Sequence, residues 1–299
     1  MLSMEKRREI VKGLIDNVKT ENDTSMGLVV SEILLPYLNN RVPNKMNTYN
    51  VPPGCQKSTT IRNKDYGIIK LELIMGFKVV LVTTPMKGSA EDEYKKFKND
   101  RQYIEQHLCK LLGENIEIRL YRKTRDLFID NVNSNVVKVL ITNDSDFLNS
   151  KIYGVKSSKY IKDEIKKYPK NTFSLIRDED FFGASSEAAT TKHNTGSSYK
   201  DYGAAMFKMK KAFLDLSSLG VHGFAGTMVH EHEKKYGAVF KECLEFPDIY
   251  EVISKNWPTQ EQLTKMSSNL DGVTLVDENR KNIVEISVDK MEQRYKKMK

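Results

Sequence analysis

Short apolar runs rich in β-branched residues recur through the first two thirds of this chain, each set apart from the next by a helix-like stretch. Lys78 to Thr84, Ile116 to Tyr121, Val136 to Thr142 and Thr172 to Ile176 have the length and composition of strands. Helical spacing of apolar residues predicts helices over Ser58 to Met75, Ser89 to Gly113, Thr124 to Val132 and Ser158 to Lys167. Strands that alternate with helices must be joined by crossovers, and crossovers are right-handed. The fold class expected is therefore α/β, a three-layer sheet whose strands run mainly parallel.

Two further helices are expected at Met4 to Val18 and Met26 to Asn39, whereas Asn44 to Asn50 is polar and poorly patterned. The stretch GASSEAATTKHNTGSS, beginning at Gly183, is small and polar and marks a boundary. Four segments follow: N-terminal helices over 1–45, an α/β core over 46–183, a linker or mobile loop over 184–198, and a region over 199–299. That last region reads as mostly helical. It carries a hairpin between Val273 to Val276 and Ile283 to Ile286, and it ends in a basic tail.

Composition narrows the partners. With 39% hydrophobic residues and a mean hydropathy of −0.53, the chain has no apolar window of membrane-spanning length, so no membrane partner is expected. The N-terminus lacks the apolar core and cleavage site of a secretory signal. Its three cysteines, Cys55, Cys109 and Cys243, are scattered and odd in number. They form no disulfide framework, and a reducing, cytoplasmic setting is expected. The net charge of +8 favours a polyanion, RNA or single-stranded DNA, since neutralised phosphates release counterions. Self-association into a homo-oligomer is a further expectation.

Chemistry concentrates at Val51-Pro52-Pro53-Gly54-Cys55-Gln56-Lys57-Ser58-Thr59. A phosphate-binding P-loop reads G-x-x-x-x-G-K-[ST]; its backbone N–H groups cradle phosphates, its Lys reaches the outer ones and its hydroxyl holds Mg²⁺. Lys57 and Ser58 match the charged end of that pattern, while Val51 and Gln56 stand at the two glycine positions. A residue with a Cβ at the second position carries a steric cost where φ must be positive. The competing reading is a Pro-Gly turn running into a Lys-bearing helix.

Taken with the segments after it, the loop resembles the RecA-like core of helicases and related P-loop NTPases. A strand ending in Thr83-Thr84-Pro85 follows the loop, a helix entered through Lys87-Gly88-Ser89 comes next, and a later strand ends in acidic residues. The resemblance spans roughly residues 46–183. It implies that Gly54, Lys57, Ser58 and Thr59 bind ATP or GTP, with Lys57 on the outer phosphates and Ser58 on Mg²⁺. It also implies a strand-end carboxylate for the metal. Asp144 is preferred because its strand is longer, and Asp178-Glu179 is the rival. Asp144 and Lys57 would then be the catalytic pair of a weak NTPase, if the protein is an enzyme at all. A complete helicase also needs arginines on a second lobe, and this chain has none between Arg177 and Arg280.

Other constellations carry less. His222 with His230-Glu231-His232-Glu233 is dense in metal-ligating types, but on a helix His230 and His232 would point apart, so a solvated surface is expected. Asp144-Ser145-Asp146 after an apolar strand resembles the acidic strand end of PIN- or NYN-like nucleases. The strand at Val79 to Thr84, however, ends without the carboxylate that chemistry needs, and the default reading of Asp146 is a satisfied turn carboxylate. Basic residues interleaved with aromatics at 94–98, 207–211 and 295–297 can pair phosphates and stack bases, though the first two fit helices whose aromatic side is core. The leading expectation is a nucleotide-binding protein associated with nucleic acid. The alternative is a non-enzymatic basic RNA- or DNA-binding protein, oligomeric and viral in character.

Overall fold

The computed structural model describes residues 2–178 apart from 20–23, 43–45, 51–55, 85–86, 131–135 and 171, together with 216, 222–227 and 250–254. Its strands are β1 (Met46–Asn50), β2 (Val79–Thr84), β3 (Glu117–Tyr121), β4 (Val136–Asn143), β5 (Lys151–Ile152), β6 (Val155–Lys156), β7 (Phe173–Asp178), β8 (His222–Thr227) and β9 (Tyr250–Ser254). Seven of them form one sheet in the order β3-β4-β2-β7-β8-β1-β9, and every pairing in it is parallel. The short β5–β6 hairpin stands apart. The chain is thus α/β, as the alternation required.

Every residue of β2, β4 and β7 is buried, which is why these segments read as continuous apolar runs rather than alternating ones. Their side chains still divide by parity between two cores. Val80, Val82, Val137, Val139, Ile141 and Ile176 face a core shared with α1 (Met4–Asp16), α5 (Ile68–Met75) and α6 (Lys87–Leu112). Val79, Leu81, Leu140, Phe173 and Leu175 face a second core, with Leu127 of α7 (Thr124–Ile129), Phe147 of α8 (Asp144–Asn149) and Ile161 of α9 (Ser157–Ile165). Right-handed crossovers explain the division. Connections from β1 through β2 to β3 step one way along the sheet and lie on one face, while those from β3 through β4 to β7 step back and lie on the other.

The N-terminal helices are built into the first core rather than forming a separate layer. Val11 and Ile15 of α1 are buried there with Val29 of α2 (Thr24–Val29), Ile33 and Leu34 of a π-helical turn (Val30–Leu34), and Tyr37 of α3 (Leu35–Asn39). The Arg7 guanidinium donates to the Ile74 carbonyl at 2.6 Å, occupying an orphan acceptor at the end of α5.

Three differences from the sequence expectations bear on the site. The helix expected over Ser58 to Met75 is two helices, α4 (Lys57–Arg62) and α5, parted by a turn in which Asn63 Oδ1 accepts from the backbone N–H of Asp65 and Tyr66. Gly67 belongs to that turn: a Cβ there would meet the Asn63 carbonyl oxygen at 2.3 Å. The polar stretch Met46–Asn50 is a strand, held by partners on both sides (β8 and β9) and anchored in the first core by Tyr49. Finally, the region beyond 199, read as mostly helical with one hairpin, supplies β8 and β9 to this sheet. A core confined to 46–183 therefore leaves out the strand between β7 and β1. The expected linker at 184–198 and the hairpin at 273–286 lie outside the described residues.

Candidate functional site at the carboxyl edge of the sheet

In an open α/β sheet the ligand crevice lies beyond the carboxyl ends of two neighbouring strands whose connections leave in opposite directions. Here those strands are β2 and β7: β2 leads to β3 on one side, and the strand after β7 is β8 on the other. Their ends carry Thr83, Thr84, Arg177 and Asp178, all buried. Pairing sets Thr83 level with Arg177, so Thr84 and Asp178 top the two strands.

Alternation of side chains along β7 decides which face each acid or base serves. Asp178 shares the face of Ile176, toward the first core, where α4 and α6 lie. There Ser58, in the first turn of α4, donates from Oγ to Asp178 Oδ2 at 2.6 Å, a contact spanning 120 residues of sequence. Arg62, one helical turn on from Ser58, forms an ion pair with Glu93 of α6, Nε to Oε2 at 2.5 Å. Burial pushes the Glu93 carboxyl above its ordinary range; Arg62 and Lys96 pull it back, and the charge of Asp178 adds to the rise. A hydroxyl, two carboxylates and a guanidinium thus converge beside the carboxyl end of β7.

Arg177 takes the opposite face. Its Nη2 donates to Asp144 Oδ2 at 3.1 Å, and both side chains are fully buried. The neighbouring acid is also engaged. Asp146 Oδ2 accepts from the Thr124 backbone N–H at 2.9 Å, from Thr124 Oγ1 at 2.7 Å and from Thr142 Oγ1 at 3.0 Å. Asp146 is therefore a satisfied turn carboxylate that joins the starts of α7 and α8. Four strand spacings separate β4, which leads into Asp144, from β1, which leads into the loop; that is about 19 Å. Only two spacings, about 10 Å, separate β7 from β1. Of the two candidate carboxylates, Asp178 is the one bonded to Ser58, while Asp144 is paired with Arg177. Strand length had favoured Asp144, but proximity to the loop is governed by strand order.

The backbone at Gln56 supplies the other element of the site. It stands at φ 52°, ψ 27°, the left-handed conformation for which the loop pattern reserves a glycine. Its carbonyl accepts from the Thr60 backbone N–H at 2.8 Å and from Thr60 Oγ1 at 2.9 Å, and these bonds tie the loop exit to α4. Lys57 is the first residue of α4, followed by Ser58 and Thr59. Gly54 and Glu179 lie outside the described residues, as do His230 and His232, while His222 opens β8 level with Ser174.

Arg62 and Glu93 were missed in the sequence, although both left a signal. Glu93 lies three residues after buried Ala90 and four before buried Phe97, so it is a carboxylate on the apolar stripe of α6. Arg62 lies four residues after Ser58, on the same face of α4.

Mg²⁺ takes hard oxygen ligands and binds through one or two carboxylates, substrate phosphates and water rather than through an all-protein cage. The Ser58 hydroxyl and Asp178 carboxylate fit that chemistry. Among the described residues no group of three or more His, Cys, Asp or Glu side chains could hold a metal ion by itself. Also among the described residues, no helix is long and apolar enough to cross a membrane. No protein-family model matches the chain, and no curated protein matches it.

Proposed function

We propose that this chain is a nucleotide-binding protein of the P-loop type, built on a RecA-like core and associated with nucleic acid, hydrolysing NTP weakly if at all. The observation that carries this reading is the Ser58–Asp178 hydrogen bond at the switch point of the sheet. It joins the hydroxyl of a K-S-T loop exit to a strand-end carboxylate, the two protein groups that a Mg²⁺-nucleotide needs together. The left-handed backbone at Gln56 supports it as well, because the altered loop keeps the conformation of the glycine it lacks.

Under this proposal Gly54, Lys57, Ser58 and Thr59 border the polyphosphate of ATP or GTP. Lys57 neutralises the outer phosphates, and Ser58 with Asp178 holds Mg²⁺, which when bound offsets phosphate charge. Arg62 and Glu93 flank the metal-binding pair; their mutual neutralisation keeps a second bare carboxylate from crowding Asp178. Asp144 is assigned the structural task of balancing Arg177.

A thermal-shift titration with Mg·ATP and Mg·GTP tests the assignment. Ligand at a hundred times Kd should stabilise the protein by about 2.7 kcal/mol. Lys57→Ala and Asp178→Asn should abolish the shift while leaving the unliganded melt near that of the wild type. Asp144→Asn should lower the unliganded melt yet keep the shift. If no nucleotide stabilises the wild type, or if Asp144→Asn alone removes the shift, the reading is wrong.

The second reading, a nucleic-acid binder without a cofactor, is supported by the +8 charge. It would give oligonucleotide binding with a steep salt dependence and no response to nucleotide.

A further inference from the structure

On the face of the sheet away from Ser58, the β5–β6 hairpin projects between α8 and α9. Two residues, Tyr153 and Gly154, make its turn, and both have positive φ, 50° and 79°. Such turns favour Asn-Gly or Gly-Gly, because an ordinary side chain is strained in the left-handed region. A tyrosine in the first position is therefore an outlier. Tyr153 is 70% exposed, against 57% for Met4 and 45% for Tyr168. It leans on the Tyr160 ring of α9, centroids 6.1 Å apart, and Tyr160 in turn meets Phe128 of α7 edge-on.

Charge around the ring is equally one-sided. Lys151 and Lys156 stand directly opposite one another in the hairpin, both exposed, and a like-charge pair in that position destabilises a ribbon. From Lys151 to Lys170 the chain has seven lysines against Asp163 and Glu164, a surplus of five charges where the whole chain carries +8. Each of the two acids is engaged within α9 or just after it, Asp163 with Lys166 at 3.7 Å and Glu164 with Lys167 at 2.7 Å. A strained aromatic at a tip and two opposed cations at its base both lower the stability of the hairpin, and both are answered by one ligand: a flat base on a polyanionic backbone.

We infer that the β5–β6 hairpin is a contact surface for single-stranded nucleic acid, with Tyr153 stacking on a base and Lys151, Lys156 and Lys159 pairing with phosphates. This deepens the nucleic-acid half of the proposed function and is independent of the nucleotide half. Stacking on an exposed aromatic tolerates any base, so little sequence preference is expected, and a duplex, whose bases are already stacked, should bind less well.

The test is fluorescence anisotropy of the full chain with a fluorescein-labelled oligo(dT) 20-mer over a range of salt. Tyr153→Gly removes the ring while easing the turn, so it should melt no lower than the wild type yet bind about 5- to 150-fold more weakly. Tyr153→Trp should bind at least as well as the wild type. The triple variant Lys151→Gln, Lys156→Gln, Lys159→Gln should cut the salt slope by about two, because each phosphate contact on a single strand contributes about 0.7. Lys151→Glu alone should raise the melting temperature slightly, by removing the opposed charges, while weakening binding; a merely structural lysine could not do both.

Wild-type affinity in both Tyr153→Gly and the triple variant would overturn the hairpin assignment and leave the nucleic-acid reading standing. Binding of vesicles containing phosphatidylserine without binding of the oligonucleotide would overturn both. Neither outcome touches the nucleotide-dependent thermal shift, which should persist in every hairpin variant.

Discussion

Among the described residues, two with ordinary side chains stand in glycine-like backbone, and both fall at sites assigned a ligand. Gln56 is the more informative. Its left-handed conformation costs about 1–2 kcal/mol relative to the right-handed region. Gln56→Gly recovers that strain but adds unfolded-state entropy of about 0.4–1 kcal/mol, so its stability should equal or slightly exceed that of the wild type. Gln56→Val, β-branched at positive φ, should lose about 1–3 kcal/mol. Urea unfolding of the three proteins checks the order; a valine variant as stable as glutamine would mean that the turn does not require positive φ. From the sequence, Gln56 was legible only as a mismatch to a pattern. That the backbone keeps the pattern's geometry is a property of the folded loop exit, where Thr60 holds the Gln56 carbonyl.

At the scale of elements, the junction of α4, α5 and α6 turns on Lys70. Its ammonium is buried and donates to the Lys64 and Asp65 carbonyls at 2.8 and 3.0 Å, with His107 Nδ1 at 2.7 Å. Burial lowers its pKa from 10.5 to about 8, with Asp65 opposing the drop. The unfolded chain therefore keeps this proton through an interval in which the folded one has released it, so stability should rise with pH between about 8 and 10.5. His107, lowered by burial and by Lys70, acts in the same direction at lower pH.

Tyr37 and Tyr49 act in the other direction. Burial raises both well above 10.0, so above that pH the unfolded state alone loses their protons and stability falls. A stability maximum near pH 10 is expected from urea midpoints measured between pH 7 and 11. In Lys70→Met the rise above pH 8 should shrink, leaving the part that Lys138, also lowered by burial, supplies, while the fall above 10 remains. A wild-type midpoint that declines steadily from pH 8 upward would refute this balance. The helices themselves were legible from their apolar spacing. The break between α4 and α5 was not, because it rests on an Asn63 side chain folding back on the chain and on a Gly67 pressed against that residue's carbonyl.

For the whole molecule, the decisive fact is the order β7-β8-β1. The strand that leads into the loop meets the strand that ends in Asp178 only through β8, which lies more than forty residues further along the chain. A chain ended at residue 183 should therefore lose β1 from the sheet, and with it the support of the loop at Gln56. It should melt without the cooperative transition of the full chain and give no Mg·ATP shift. A truncated chain that melts as the intact protein does would show the first two thirds to be a domain in their own right. The sheet's order also explains why the candidate site was half legible. Ser58 and Lys57 stood out by spacing and Asp178 by its place after an apolar run, but the choice between Asp144 and Asp178 depended on which strand lies nearer the loop.

By itself the sequence determined the strands that carry apolar runs, β2, β3, β4 and β7, that such strands run parallel, and which loop carries an ammonium beside a hydroxyl. Periodicity and turn chemistry are properties of neighbouring residues, so they survive without the fold. Only the tertiary structure decided strand order, and with it that Asp178 joins Ser58 while Asp144 is closed off against Arg177. The junction of Ser58 with Asp178 comes from pairings across more than a hundred residues, and the free energy that selects among strand orders arises only when the two cores close on either face of the sheet.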